Sequence, residues 1–109
     1  MDAVLSALAE PRRRAILALL HDRELAAGEI AARFAEVTRP AISQHLGVLR
    51  AAGLLDERRD GVRRLYRARP QGAAELRDWL DRFWPDALDR LRLAAEQEER
   101  QHVVDDRAR

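Results

Sequence analysis

The alternation of apolar and polar positions is most regular in TRPAISQHLGVLRAA, residues 38–52. Its apolar side chains Ile42, Leu46 and Leu49 recur at i, i+4 and i+7, the spacing of one helix face. The threonine that opens the stretch can cap the helix N-terminus, and Gly53 can end the helix. The pattern therefore predicts a helix of about four turns with one buried face and one polar face.

Three shorter helices are predicted before this one. Apolar spacing places them at residues 3–9, 11–20 and 28–35, with Asp2 as the cap of the first and Pro11 opening the second. A short link then joins the third helix to the helix at 38–52. Two helices joined in this way, the second longer and polar on its outer face, are typical of a helix-turn-helix.

The polar face of the helix at 38–52 carries candidates for reading DNA. At about 100° per residue, Arg39, Ser43, Gln44 and Arg50 share one arc, whereas His45 lies on the other side and is predicted to pack inside. Arginine can bind guanine O6 and N7, and glutamine can bind adenine N6 and N7. We therefore interpret this helix as one that enters a major groove, with the later arginine placed for a phosphate.

A basic hairpin is predicted directly after this helix. Strands at 54–59 and 62–69 flank Asp60-Gly61, a strong hairpin signal. The hairpin carries Arg58, Arg59, Arg63, Arg64, Arg67 and Arg69. Such a "wing" can lie along the phosphate backbone or enter a minor groove; arginines that block edge-to-edge strand pairing are the alternative. The full set of predicted DNA-binding residues is Thr38, Arg39, Pro40, Ser43, Gln44, Arg50, Arg59, Arg63 and Arg64.

A second run of arginines, residues 12–14, stands at the start of the second predicted helix. Cations at a helix N-terminus oppose the helix dipole and need a partner. We expect these arginines to be solvated or to pair with Glu10 or a neighbour rather than to contact DNA.

An apolar stripe returns between residue 73 and about residue 100. Pro85 interrupts it, which predicts a kink near Trp84 or two helices that meet there. So much apolar surface beside a small core favours a homodimer interface, although a lid over the first helix would also use it. The predicted interface residues are Val4, Leu5, Leu8, Trp79, Phe83, Trp84, Leu88 and Leu91. Residues 101–109 are expected to form a flexible polar tail.

Composition narrows these interpretations. The chain has 109 residues, which suits a single domain, predicted here over residues 1–100. It contains no cysteine, so disulfides and thiolate metal sites are excluded. The first residues do not form a signal-peptide pattern and no apolar run suits a membrane span, so we expect a cytoplasmic protein without a membrane partner. Every cation is an arginine, and residues 1–70 hold 13 of them against 9 acids. Arginine suits phosphate and guanine contacts, although codon bias in a G+C-rich genome gives the same composition.

Four segments together resemble the ArsR/SmtB family of bacterial winged helix-turn-helix repressors. They are LAEPRRRAILALL (8–20), with Arg12 where a threonine is frequent, ELAAGEIAARF (24–34), TRPAISQHLGVLRAAGLL (38–55) and DGVRRLYRA (60–68). The segment RPAISQHL, together with RFW in the last helix, is most similar to the corresponding segments of small autoregulators without metal thiolates. The resemblance implies a mainly α fold with a β-hairpin wing, in the order α-α-α-α-β-β-α. It also implies a symmetric dimer, packed through the first and last helices, that binds a palindromic operator and blocks transcription.

The family's metal-sensing positions do not carry ligands in this chain. Ala26 and Gly28 stand where the family has paired cysteines. The last helix offers acids but only one histidine, His102, beyond the expected place. His21 falls in a loop. A zinc site needs three or four ligands, so the sequence predicts no metal and no cofactor, and both histidines are interpreted as surface residues.

The leading hypothesis is a DNA-binding transcriptional repressor whose partner is double-stranded operator DNA. One alternative is a metal- or ligand-released repressor of the same fold. Another is an interaction module that has lost DNA binding and acts through Trp79, Phe83 and Trp84. An enzyme is disfavoured because the three histidines are scattered, no glycine-rich phosphate loop occurs and the acids form no paired set.

Overall fold

A computed structural model describes the backbone of residues 1–83 and 87–108, and the side chains of residues 1–83, 89–90 and 92–100. The elements are α1 (Asp2–Leu8), α2 (Pro11–Leu19), β1 (Leu25–Ala26), α3 (Ala27–Ala32), α4 (Arg39–Ala51), β2 (Leu55–Asp60), β3 (Arg63–Ala68), α5 (Pro70–Phe83) and α6 (Ala87–Ala108). The fold is mainly helical with a β-hairpin wing, which confirms the predicted winged helix-turn-helix.

The chain divides into two compact units, Met1–Leu76 and Arg77–Arg109. The single domain over residues 1–100 stays a prediction. Among the described residues, Leu76 is the last that packs against the core of the first unit. None of the helices in the described part of the chain has both the length and the apolar character needed to cross a bilayer.

The core of the first unit forms where the apolar faces of α1 to α4 meet the base of the hairpin. The apolar face predicted for α4 is confirmed, because Ile42, Leu46 and Leu49 are all at most 1% exposed. Burying such side chains contributes about 1.5–3 kcal/mol each, before the entropy of ordering them is subtracted. The buried residues are Val4, Ala7, Ile16, Leu20, Ile30, Ile42, Leu46, Leu49, Leu54, Leu55 and Leu65.

Both ends of α4 are capped as the sequence predicted. At the N-terminus, Thr38 Oγ1 accepts a hydrogen bond from the backbone N–H of Ala41 at 3.3 Å. At the C-terminus, Gly53 has a φ of 79° and its N–H donates to the carbonyl of Arg50, while Leu54 N–H donates to the carbonyl of Leu49. These two bonds form a Schellman motif, and they fix the direction in which the chain leaves α4 towards the wing.

The junction between α1 and α2 explains the arginines at positions 12–14. The Glu10 carboxylate accepts from the backbone N–H of Arg12 at 2.9 Å and caps α2, so of the expected partners Glu10 is used as a cap and not in an ion pair. Arg12 instead pairs with Glu36 and lies 5.5 Å above the ring of Phe34. The backbone hydrogen bond of Glu36, and then this guanidinium, lower the pKa of the Glu36 carboxyl.

Arg13 and Arg14 donate instead to the carbonyl groups at the C-terminus of α1. The Nε of Arg13 reaches the carbonyl of Ala7 at 2.7 Å, and Nη1 of Arg14 reaches that of Leu8 at 2.6 Å. Cations are stabilising at that end of a helix.

The expected cap at Asp2 is wrong, because Met1 occupies the N-cap position and Asp2 lies in the first turn of α1.

The two-residue loop of the wing lies one residue later than predicted, and a third strand joins the hairpin in one sheet. Asp60 pairs with Arg63, so the two-residue loop is Gly61-Val62, with Gly61 at a φ of 64°. A positive φ at the first loop position is what a tight hairpin turn requires, and glycine supplies it at no steric cost. The two-residue strand β1 pairs antiparallel with β3 and completes a sheet of order β1-β3-β2.

The C-terminal helices differ from the prediction at their ends. Helix α5 begins at Pro70, three residues earlier than expected, and its buried Gly72 packs against the turn after α4. The predicted interruption near Pro85 appears as two separate helices, α5 and α6, with residues 84–86 outside the described part of the chain. Helix α6 continues to Ala108, and the flexible polar tail expected over residues 101–109 stays a prediction.

Candidate nucleic-acid interface

A groove of about 610 Å³ separates α4 from the wing. Five of the predicted DNA-binding residues line it: Arg39, Ser43, Arg50, Arg63 and Arg64. Its other lining residues are Ala26, Ala27, Gly28, Leu46, Gly47, Glu57, Val62 and Tyr66. The fold thus brings together side chains from two segments that the sequence could only assign separately to DNA binding.

The remaining predicted residues lie beside this groove and not in its lining. Thr38, Pro40 and Gln44 are exposed at the N-terminal half of α4, and Arg59 is exposed on β2. Val62, which the sequence analysis did not single out, is fully exposed at the tip of the wing. In the sequence, only the position of Val62 in the two-residue loop, next to two arginines, would have indicated that it belongs to the site.

Arg39 occupies the first turn of α4 with its guanidinium over Gly28 of α3. A Cβ atom added at Gly28 would lie 3.3 Å from Nη1 of Arg39, so the glycine leaves room for the guanidinium. A cation in the first turn opposes the helix dipole. Among the described residues Arg39 forms no ion pair that would offset this unfavourable interaction. Arg39 is therefore an available cation held at an electrostatically unfavourable place, which is typical of a functional position.

Glu57 is an acid in the wall of the groove that the sequence analysis did not identify. Its carboxylate pairs with Arg50 of α4 and lies 3.5 Å from Nε of Arg64 on β3. Its side chain is 15% exposed, whereas both arginines are 56% exposed. Glu57 thus connects α4 to the wing and is much less exposed than the two arginines that it contacts.

Two further acids, one before β1 and one in α3, form ion pairs with arginines of the wing. Glu29 pairs with Arg63, and its carboxylate also accepts from the backbone N–H of Ala26 at 3.0 Å, at the start of α3. Glu24 accepts two hydrogen bonds from Arg58, at 2.7 and 2.6 Å from Nε and Nη2. These partners are 34 residues apart in the chain, so sequence spacing gives no signal of them.

The Glu24–Arg58 pair also shifts both ionisation equilibria. The hydrogen bonds from Arg58 are the main cause that lowers the pKa of the Glu24 carboxyl, and the same pair raises the pKa of Arg58. Arg58 therefore serves to position the wing. Arg59 forms no ion pair within the described residues, and it remains available for a phosphate.

His45 is half-buried on the inner side of α4, which confirms the prediction that it packs inside. Its Nδ1 is enclosed and has no hydrogen-bond partner among the described residues. The same part of the chain contains no group of three or more histidine, aspartate and glutamate side chains that could hold a metal ion.

The residues predicted for a dimer interface have mixed environments. Val4 is 8% exposed within the core, so its assignment to an interface is corrected: it packs inside its own unit. Leu5 is exposed, and Leu8 is half-buried against the core. In the second unit the rings of Trp79 and Phe83 lie 4.8 Å apart at 51°, with Phe83 71% exposed. The other three predicted interface residues, Trp84, Leu88 and Leu91, have side chains outside the described part of the chain.

A helix-turn-helix and an arginine-bearing hairpin that share one groove define the class of winged helix-turn-helix DNA-binding proteins. A family model described as a helix-turn-helix domain matches residues 8–58. The chain is 51% identical over 87 residues to the HTH-type transcriptional regulator Rv2034 of Mycobacterium tuberculosis, which spans 80% of each protein. The chain belongs to the ArsR-like family of helix-turn-helix transcriptional regulators. It is a DNA-binding transcriptional regulator and not an enzyme.

Solved structures agree with this assignment. One, described as a possible transcriptional regulator for arsenical resistance, is 48% identical with a TM-score of 0.68, covering 84% of this chain and 94% of that one. Another, an ArsR-like transcriptional regulator from Rhodococcus sp. RHA1, is 33% identical with a TM-score of 0.71 and 89% coverage of both chains.

Relatives are named both as repressors and as activators. The biofilm growth-associated repressor of Agrobacterium fabrum is 38% identical over 73 residues, which cover 67% of this chain and 62% of that protein. The transcriptional activator HlyU of Vibrio cholerae is 41% identical over 63 residues, which cover 58% of this chain and 57% of that protein.

Proposed function

We propose that this regulator binds a palindromic operator as a homodimer and represses transcription from it. The observation that carries the proposal is the groove, which is lined by four arginines from α4 and the wing and by Ser43. A surface so rich in guanidinium groups suits phosphates and guanine edges better than any other common partner.

In this proposal the N-terminal half of α4 enters the major groove. Arg39 donates to guanine O6 and N7, Gln44 donates to and accepts from adenine or binds a phosphate, and Ser43 makes a short contact. Thr38 and Pro40 stand at the start of the helix, where the hydroxyl that caps α4 can still donate its proton to a phosphate oxygen. These contacts supply sequence choice.

The wing and the C-terminal half of α4 hold the phosphate backbone. Arg59 reaches it directly, and Arg50, Arg63 and Arg64 do so with the guanidinium N–H groups that their acid partners leave free. Each guanidinium has five N–H donors, so pairing with a carboxylate does not exhaust it. These contacts are insensitive to sequence and supply affinity that depends on salt.

We further propose that α1 and the two C-terminal helices, α5 and α6, contribute to the dimer interface. Exposed Leu5 of α1 and the exposed ring of Phe83 are apolar surfaces that a partner protomer would cover. Leu8 and Trp79 would contribute their exposed parts, and Trp84, Leu88 and Leu91 complete the proposed interface. Two-fold symmetry would place the two α4 helices about 34–36 Å apart, one turn of DNA.

The proposal of repression rests on the repressor named among the relatives. It also rests on a steric argument, since a dimer bound to a promoter blocks the access of polymerase to that DNA. Because an activator is named in the same set, a direct measurement has to decide between repression and activation.

The test is a selection of bound fragments from the source genome, followed by a footprint and by sedimentation of the complex. We expect an inverted repeat whose half-sites lie about 10–10.5 base pairs apart or a multiple of that spacing, with two chains per site. A reporter driven by the selected promoter should rise when the gene is deleted. An asymmetric site occupied by one chain would contradict the dimer, and a fall in the reporter would contradict repression.

A further inference from the structure

We propose that Glu57 is a selectivity-determining residue of the DNA-binding groove, where it restrains binding to DNA of unrelated sequence. The inference rests on the proposed function of the groove and concerns a residue that would contact two DNA-binding arginines and not DNA itself.

Glu57 is the single acid among the described residues that line the groove, whereas the lining includes four arginines. Glu57 is less exposed than the two other acids that contact the wing. Its side chain is 15% exposed, while that of Glu24, the partner of Arg58, is 29% exposed and that of Glu29, the partner of Arg63, is 49% exposed. A carboxylate that is mostly withdrawn from water loses solvation, and it is stabilised there by its guanidinium partners.

The strand explains why the carboxylate lies at this place. Residues along β2 alternate between faces, so Glu57 shares a face with buried Leu55, while Asp56 projects from the opposite face and is exposed. Across the ladder Glu57 is opposite Tyr66, which also lines the groove. The acid is therefore built into the groove wall and is not a surface charge that happens to be near an arginine.

Two consequences follow for DNA. First, Glu57 ties Arg50 of α4 to Arg64 of β3, so it fixes the spacing between the recognition helix and the wing before DNA arrives. Second, its negative charge opposes any phosphate that enters the groove without the correct docking. Binding to unrelated DNA depends almost wholly on phosphate attraction, whereas a specific complex also gains base contacts and uses the fixed spacing. The acid should therefore weaken non-specific binding more than specific binding.

The test compares Glu57→Gln with Asp56→Asn. Both changes remove one negative charge from the same strand, but only the first removes it from the groove. The probes are a duplex recovered by the selection above and a random duplex of about 30 base pairs. We expect Glu57→Gln to tighten binding to the random duplex about three- to tenfold and to steepen its salt slope by about one, with a smaller gain on the selected duplex. Asp56→Asn should change both affinities less than about twofold.

A double-mutant cycle tests the route through the arginines. In an Arg50→Gln background, Glu57→Gln should have a clearly smaller effect on the random duplex, because one of its two partners is already lost. An effect of full size in that background would overturn the positioning role.

Folding is followed by circular dichroism in every variant. If Glu57→Gln does not fold, Glu57→Asp keeps the charge but shortens the reach to both arginines. It should then lower the affinity for the selected duplex at least threefold with little change on the random duplex. Equal behaviour of Glu57→Gln and Asp56→Asn would overturn this inference and leave the proposed function intact. Failure of the wild-type chain to bind either duplex would overturn both.

Discussion

Arg39→Ala should lower the affinity for the selected operator by about 1–3 kcal/mol, roughly 5- to 150-fold, and should relax the choice of base at one position in each half-site. Arg39 is at the N-terminal end of α4, lines the groove and forms no ion pair among the described residues. Its guanidinium is thus free to form two parallel hydrogen bonds with a guanine. Fluorescence anisotropy with the selected duplex and with single-base variants measures both effects.

Two controls separate base reading from simple charge. Arg39→Lys keeps the cation but loses the fork of two donors, so it should retain the affinity for random DNA and still lose base choice. Arg59→Ala should weaken binding to every sequence alike, because Arg59 is proposed to hold a phosphate. If Arg39→Ala weakened all duplexes equally, Arg39 would contact the backbone and α4 would lack its principal reader.

Gly72→Ala should destabilise the first unit by about 1–2 kcal/mol, although alanine is the better helix former. An added Cβ at this buried position would lie 2.8 Å from the carbonyl oxygen of Gly53 and 3.1 Å from Cδ2 of Leu54. The first of these atoms belongs to the backbone that ends α4, so the clash cannot be relieved by rotating a side chain. Unfolding in urea measures the change in free energy.

Gly47→Ala is the matched control for this substitution. Gly47 also lies in a helix, but nothing stands within 4 Å of the Cβ that alanine would add. Removing a glycine from a helix interior stabilises by about 0.5–1 kcal/mol, so the two substitutions should act in opposite directions. A gain in stability from Gly72→Ala would show that α5 does not pack closely on the turn after α4.

Features set by neighbours in the chain could be predicted from the sequence. The apolar spacing of α4, its threonine cap, its glycine end and the hairpin signal all act within a few residues, and the structure contains each of them. The predicted hairpin turn lies one residue before the observed one, because Asp60-Gly61 and Gly61-Val62 both place glycine in a two-residue loop. Family resemblance then connected these local elements in the correct order.

Features set by distant neighbours could not be predicted. A strand of two residues such as β1 shows no alternation, and it exists only because β3 pairs with it. Three of the predicted DNA-binding arginines, Arg50, Arg63 and Arg64, have acid partners that are distant in the sequence or on another element. Glu57 lies in the site only because the hairpin packs against α4. Gly72 likewise had no local signal, since its requirement is the carbonyl of Gly53 across a tertiary contact.

The most direct test of the account is the salt dependence of binding between the wild-type chain and the selected duplex. Four proposed phosphate-binding arginines in each protomer, namely Arg50, Arg59, Arg63 and Arg64, give up to about eight phosphate contacts per dimer. The logarithm of the binding constant should then fall with the logarithm of salt concentration at a slope of about −5 to −7. A slope near zero, or the absence of a complex at about 50 mM salt, would contradict the assignment of this groove to DNA.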